Sequence, residues 1–230
     1  YRYRMLETLR EYGRAQQAKA DERDACSAAL LTWARTWADR LEANMRTARQ
    51  DATLAAAVHE RENLRDAYEQ ARGRQQLELA LRIVTFAPIL LLRDRATAID
   101  ELLPALADCP ETLRGHALTS KAQFGFATGR AAEGLAAARA AAEIFDQLGD
   151  RRLEAWARYF QIFCAWGYLD DDEVHALVDK VLTEFRTTNE PLGLAYMLWI
   201  QSQLEDDLAT AEAHAAESEA MFRAIDAPFG

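Results

Sequence analysis

One pattern constrains the fold of this chain more than any other: a short helix ending recurs three times in its C-terminal half. The endings are residues 142–150, 182–190 and 219–227. Their central phenylalanines, Phe145, Phe185 and Phe222, are 40 and then 37 residues apart. A two-helix unit of this length is typical of stacked arrays, because one helix pair cannot bury its apolar face alone. A non-repetitive helical bundle with chance similarity is the alternative.

The same residue types recur in the turns that follow these endings. An Asp or Asn ends one helix and caps the next. Pro191 then lies in the first helical turn, where a missing amide hydrogen costs nothing. Because Pro228-Phe229-Gly230 repeats the pattern of Pro191-Leu192-Gly193, we expect the array to continue beyond Gly230 in a longer parent protein. The start at Tyr1, without an initiator Met, leads to the same expectation of an internal segment.

Residue usage favours helix throughout. Only 10 Gly and 5 Pro occur in 230 residues, and apolar residues recur at three- and four-residue spacing. The breaks in this pattern predict helices at 5–19, 22–46, 51–71, 75–93, 95–107, 111–128, 131–148, 151–167, 171–187, 191–204 and 208–224. The short connections predict that consecutive helices pack antiparallel.

Charge and hydropathy exclude several classes. The net charge of −10 and pI near 5.0 argue against direct nucleic-acid binding by this region, because phosphate-binding surfaces are usually basic. The most apolar stretch, residues 83–92, contains Pro88 and is too short to cross a bilayer, so no membrane association is expected. An odd count of three widely spaced cysteines suits a reducing, cytoplasmic compartment.

No constellation of catalytic or metal-binding residues is recognisable. His59-Glu60 lacks the second His of an H-E-x-x-H motif. The acidic run 170–173 is interpreted as a helix cap with an acidic first turn, rather than a cation site. Cys164 and His175 lack a third orienting group, and Cys164 lies in an apolar run. We therefore predict no catalytic residue, no metal and no enzyme activity in this chain.

The unit from Leu118 to Asp150 resembles a tetratricopeptide repeat. Gly129-Arg130 occupies the turn between its helices, and Gly134, Ala138 and Ala141 match small-residue positions of the second helix. The aromatic signature of the first helix is displaced from the strict motif. The resemblance implies an all-α fold in which antiparallel helix pairs stack as a superhelical solenoid.

Two N-terminal segments resemble parts of NB-ARC-type signalling ATPases. Residues 3–13 are similar to the end of their winged-helix part, and residues 58–67 to the "E-x-D/E-N-L-R-x-A" helix that follows. Such proteins are bacterial regulators of the STAND class, including AfsR-like and LuxR-type transcriptional regulators. The resemblance implies a junction at 1–20, a helical linker bundle at 21–110 and tetratricopeptide-like repeats at 111–230.

The same resemblance implies an ATP-binding core elsewhere in the parent. No G-x-x-x-x-G-K-[ST] loop occurs in these 230 residues, so no cofactor is expected here. The polar side chains of the second motif are expected to contact that ATPase domain, or else to form a cap and ion-pair set within the chain. They are Arg61, Glu62, Asn63 and Arg65.

The expected binding surface is the concave face formed by the first helix of each pair. Its predicted lining residues are His116, Gln123, Phe126, Trp156, Tyr159, Phe163, Tyr196, Trp199 and Gln203. Aromatic rings with a few polar groups suit a peptide or small molecule. The opposing interpretation is that these rings fill gaps between repeats.

The function predicted from these patterns is a non-catalytic sensor or protein-interaction domain. It would bind a protein or small-molecule inducer and thereby control the ATPase of the parent. A structural scaffold for self-association of the parent is the alternative.

Overall fold

The computed structural model describes residues 8, 11–13, 15–16, 22–87, 95–165 and 169–225. These residues form helices and connections, with no strand among them. The helices are α1 (Arg23–Asn44), α2 (Gln50–Val58), α3 (Arg61–Gly73), α4 (Leu77–Phe86), α5 (Arg95–Ala105), α6 (Glu111–Ala127), α7 (Ala131–Gln147), α8 (Arg151–Ala165), α9 (Asp171–Thr187), α10 (Pro191–Leu204) and α11 (Leu208–Ala224). The prediction of an all-α fold is confirmed for this part of the chain.

The helix predicted at 51–71 is wrong, because two helices occupy this range. The amide of Glu60 bonds to the carbonyl of Ala57, three residues back, at 2.9 Å, and this tight closure ends α2. No Gly or Pro marks the break. The helix predicted at 5–19 falls mostly outside the described residues, as does the end predicted at 167. The end predicted at 93 is wrong, because this helix ends at Phe86 and Ala87 has left the helical conformation.

Helices α1 to α5 share one apolar core. Helix α1 packs against α3 and α4, and α4 packs against α5 and α6. Leucine and alanine dominate the buried residues, with Leu41, Leu64 and Leu79 almost fully enclosed. The core includes Leu113 and Ala117 from α6, so it continues into the first helix pair. This continuity crosses position 110, where the sequence predicts a boundary between bundle and repeats.

Helices α6 to α11 pack in sequence, each against the next, and α6 also contacts α8. Within each pair the start of the first helix meets the end of the second, so the two helices run antiparallel. His116 contacts Phe145 with ring centroids 5.5 Å apart. Trp156 contacts Phe185 at 5.1 Å, and Tyr196 contacts Phe222 at 4.9 Å. Because positions 116, 156 and 196 are spaced by 40 residues, the sequence period corresponds to a repeated ring contact.

Glycines make room for two of these phenylalanines. A Cβ added at Gly115 would lie 2.6 Å from the ring of Phe145, and one at Gly193 would lie 2.7 Å from the ring of Phe185. No carbon atom tolerates such an approach, so a larger residue at either position would displace the ring. Gly115 belongs to the same pair as its phenylalanine, whereas Gly193 belongs to the next. The Phe185 ring therefore joins two consecutive pairs.

The structure also bears on membrane insertion. Within the described ranges, no helix has both the length and the apolar character that a bilayer crossing requires. Helix α1, the longest described helix at 22 residues, carries Arg23 and Asp24 at its start and Arg35, Asp39, Arg40 and Glu42 in its second half.

Candidate functional site

Three first helices, α6, α8 and α10, carry all nine predicted binding residues. Helix α6 packs directly against α8, and α8 meets α10 through side-chain rings. The rings of Phe126 and Phe163 approach to 4.9 Å between α6 and α8. The rings of Tyr159 and Tyr196 approach to 5.8 Å between α8 and α10. We call this surface the first-helix row. It brings the predicted residues together on adjacent helices.

Three of the nine residues are interior. The exposed fraction is 8 % for His116, 3 % for Trp156 and 7 % for Tyr159. Trp156 makes edge contacts with Tyr159, Phe185 and Tyr196, all within 6.4 Å between centroids. Burial raises the pKa of the Tyr159 hydroxyl far above its ordinary value. These side chains fill the space between helices and loops in this structure, so they add no open surface to the first-helix row.

The other six residues reach solvent. Gln123, Phe126 and Gln203 are exposed, with Phe126 at 49 %. Phe163, Tyr196 and Trp199 are half-buried. Gln123, Phe163 and Gln203 occupy equivalent positions 40 residues apart, so their helices present them at the same height. An apolar ring pair with neighbouring amides offers both contact area and hydrogen bonds to a partner.

A polar cluster lies at the N-terminal ends of the same helices, and sequence patterns missed its central residue. Arg46, from the loop between α1 and α2, places its Nη1 3.2 Å from Nδ1 of His116. Since arginine only donates, Nδ1 of His116 accepts, and the ring proton is assigned to Nε2. Arg152 of α8 pairs with Glu190, the residue at the N-cap position of α10. The other end of the Arg152 guanidinium donates to the carbonyl oxygen of Arg46 at 2.9 Å.

Burial sets the protonation of this cluster. Burial, followed by the charges of Arg46 and Arg152, lowers the pKa of His116 to about 3. Burial and the charge of Arg152 lower the pKa of Arg46 to about 10, and Glu190 opposes this effect. At neutral pH the imidazole of His116 is therefore neutral and the guanidinium of Arg46 is charged.

The loop that carries Arg46 is tied down by its own side chains. Arg46 has a φ of 58°, in the left-handed region. Its backbone amide donates to Oε1 of Gln50 at 2.8 Å, and Thr47 Oγ1 donates to the carbonyl of Asn44 at 2.7 Å. Asp51, in the first turn of α2, is close enough to Tyr196 to contribute to a raised pKa of that hydroxyl, after the larger effect of burial. The loop and the start of α2 thus lie against the first-helix row.

The predicted ATPase-contact residues are on the surface of α3. Arg61, Asn63 and Arg65 are exposed, and Glu62 is half-buried. Asn63 donates to Glu60 Oε2 at 2.9 Å, and Arg61 Nε is 4.0 Å from Glu62. The opposite face of α3 enters the core through Leu64, Ala67, Tyr68 and Ala71. The four polar side chains are therefore available to another domain.

The remaining candidates have structural roles. Cys164 is fully buried, and its Sγ donates to the carbonyl of Ala122 at 3.4 Å. Burial raises the pKa of this thiol. Asp170 and Glu173 form a reciprocal capping box at the start of α9. Among the residues that the structure describes, no group of three or more His, Cys, Asp or Glu side chains is arranged to hold a metal ion.

Comparison with protein-family models, curated proteins and solved structures finds no match to this chain. What the site can do therefore follows from its geometry.

Proposed function

We propose that this chain is a non-catalytic sensor or protein-interaction module that binds its partner on the first-helix row. The observation that carries the proposal is a ring contact that repeats at 40-residue spacing. His116, Trp156 and Tyr196 each contact a phenylalanine on the second helix of their own pair. This contact joins the two helices within each pair, and the Phe185 ring also meets Gly193 of the next pair. Pairs stacked in this way would form a tetratricopeptide-like superhelix, and such superhelices bind partners on the face of their first helices.

The exposed side chains of the row suit this role. Phe126 and Phe163 offer a ring pair, while Gln123 and Gln203 supply amide donors and acceptors. Protein interfaces use aromatic anchors surrounded by polar groups in this way. The partner is a protein or small-molecule inducer. In a parent of the STAND regulator class, its binding would control an ATPase that contacts the polar face of α3.

Site-specific photocrosslinking tests the proposal. A photoreactive amino acid is introduced at Gln123, Phe126 or Gln203 in the parent protein and irradiated in the cell. Matched controls carry it at Arg139 and Glu143, which are exposed on the second helix α7. We expect one discrete partner to crosslink from the first-helix positions and not from the controls.

Two results would contradict the proposal. Equal crosslinking from α7 would show that the first-helix row has no special role, and a total absence of adducts would remove the row as a binding surface. Adducts only between copies of the same chain would favour the self-association scaffold instead. The mass of the unmodified chain by light scattering identifies that case independently.

A further inference from the structure

The N-terminal ends of α6, α8 and α10 form a binding site for one arginine, Arg46. We define the arginine notch as His116, Arg152 and Glu190. His116 Nδ1 accepts from the Arg46 guanidinium at 3.2 Å, and the Glu190 carboxylate lies close enough to favour its charge. Arg152 donates to the backbone carbonyl of Arg46 at 2.9 Å. The notch therefore contacts both the side chain and the main chain of one residue.

These contacts select arginine in an extended or turned segment. A guanidinium is planar and presents several N–H groups, so it can reach the imidazole and still face the carboxylate. A lysine ammonium is a compact and strongly hydrated point charge, so it is less suited to this enclosed place beside the imidazole. The carbonyl contact requires a main chain that passes over α8. A free cation would lack that second contact.

Two effects disfavour the position of Arg46 in the notch. Arg46 is not glycine, yet its φ is 58°, a conformation that L side chains adopt at a cost. Its guanidinium also lies near that of Arg152, with only Glu190 to balance the two positive charges. A partner segment whose arginine meets the notch without a positive φ would avoid the first of these costs. The resident loop is favoured mainly because it is tethered, which gives it a high effective concentration.

We propose that the arginine notch is a docking site for an extended partner segment that presents an arginine, and that the Met45–Gln50 loop is its resident occupant. This inference rests on the proposed function, because it names the partner chemistry for one end of the first-helix row. The partner displaces the loop and leaves the helix pairs in place.

A vacated notch tests the proposal. The Arg46→Gly variant of the whole chain removes the side chain, and glycine adopts the positive φ without strain. The probe is a fluorescent decapeptide with the sequence of residues 43–52, and its binding is followed by anisotropy. We expect the variant to bind the peptide at least about tenfold more tightly than the wild-type chain, whose tethered loop competes. Adding Glu190→Gln to the variant should weaken binding about tenfold, because the carboxylate that pairs with Arg152 and favours the charge of the bound arginine is lost.

Matched controls isolate the arginine. A peptide with citrulline at the position of Arg46, and with Arg49 kept, retains the shape and loses the charge that the notch recognises, and it should not bind. Gln75→Gly is the protein control, since Gln75 also has a positive φ, 57°, in the turn before α4. It should bind the peptide no better than the wild-type chain. Circular dichroism verifies that each variant is folded, and Arg46→Asn replaces the glycine variant if that one unfolds.

Equal binding by the wild-type chain and both Arg46 variants would overturn the proposal, as would equal binding of the citrulline peptide. If the peptide fails while photocrosslinks still form from Gln123 and Phe126, the notch assignment is wrong and the proposed function stands. If the peptide binds as expected but those crosslinks are absent, the notch stands and the wider first-helix row fails.

Discussion

The two parts of this molecule bury their apolar residues in different ways. In α6 to α11, one ring contact repeats three times at nearly the same spacing, with centroids 4.9 to 5.5 Å apart. In α1 to α5, helices of 9 to 22 residues surround one leucine- and alanine-rich core without a repeated contact. The difference teaches that a regular spacing in sequence specifies a regular interface, whereas an irregular bundle depends on contacts between distant segments.

The two parts meet at α4 and α6. Phe86 contacts His116 with centroids 5.2 Å apart, and Ser120 Oγ donates to the carbonyl of Thr85 at 3.3 Å. The Arg46 loop adds a second connection to α8 and α10. This junction decides whether the repeats respond to a perturbation alone or together with the bundle.

The largest effect is expected from Phe185→Ala. The ring is fully buried between Trp156 and Gly193, so its removal should lower the free energy of unfolding by about 3–5 kcal/mol. Urea denaturation measures the loss. Hydrogen exchange should show faster exchange in α8 to α11, with protection retained in α1 to α5.

The matched variant in the bundle is Leu79→Ala, with an expected loss of about 2–5 kcal/mol. Leu79 belongs to the core that α6 shares, so exchange should increase from α1 to α6. If both variants accelerate exchange over the whole chain equally, the two parts form one cooperative unit and the contrast between them disappears.

Gly193→Ala probes the fit between two pairs. The added Cβ would meet the Phe185 ring at 2.7 Å, and displacing that ring should cost about 1–3 kcal/mol. Gly73→Ala is the control, because nothing lies within 4 Å of its added Cβ. That change should stabilise the chain by about 0.4–1 kcal/mol. Thermal unfolding of the two variants should therefore shift in opposite directions.

His116 links stability to pH at the junction. Its folded pKa of about 3 is below the ordinary value of 6.5, so the unfolded chain takes up the proton first as the pH falls. The contribution of His116 to the free energy of unfolding is fully present above pH 6.5 and is lost progressively as the pH falls to about 3. At pH 5.5 the loss relative to pH 8 should be about 1.4 kcal/mol.

His116→Gln should remove this component, since Gln still accepts from Arg46 but does not titrate. Urea unfolding at both pH values measures the difference between wild type and variant. His59→Gln, at an exposed position, is the control for the substitution itself and should leave urea unfolding at pH 8 unchanged. A His116→Gln variant with the wild-type pH dependence would show that this imidazole is not held neutral by its surroundings.

The smallest effect is expected from Arg65→Ala on the outer face of α3. Its side chain is exposed, so unfolding should change by less than about 0.5 kcal/mol. Urea denaturation again gives the value. A loss above 1 kcal/mol would assign Arg65 to the internal structure of the bundle and remove it from the predicted contact with an ATPase domain.

Local signals predicted the helices of the paired region closely. The range 131–148 corresponds to α7 at Ala131–Gln147, and 191–204 to α10 at Pro191–Leu204. Gly129, Gly149 and Pro191 mark these boundaries through preferences that act over a few residues, and both glycines have positive φ. No such residue lies at the break between α2 and α3, so the apolar periodicity predicted one continuous helix there.

The same distinction between local signals and tertiary packing applies to the candidate site. Residue types and spacing placed all nine predicted residues on first helices, but only the packing of neighbours separated buried Trp156 and Tyr159 from exposed Gln123 and Phe126. Arg46 had no signal in sequence, because its acceptor His116 is 70 residues away.

The sequence by itself determined the helical content, most helix ends and the 40-residue spacing that matches ring to ring. Helix periodicity, caps and turn residues act within a few positions, and these features depend on nothing else. Tertiary structure alone decided which rings are interior, where α2 ends, and that a loop from the bundle occupies the arginine notch. Burial and charge pairing arise between segments far apart in the chain, so they exist only once the helices have packed.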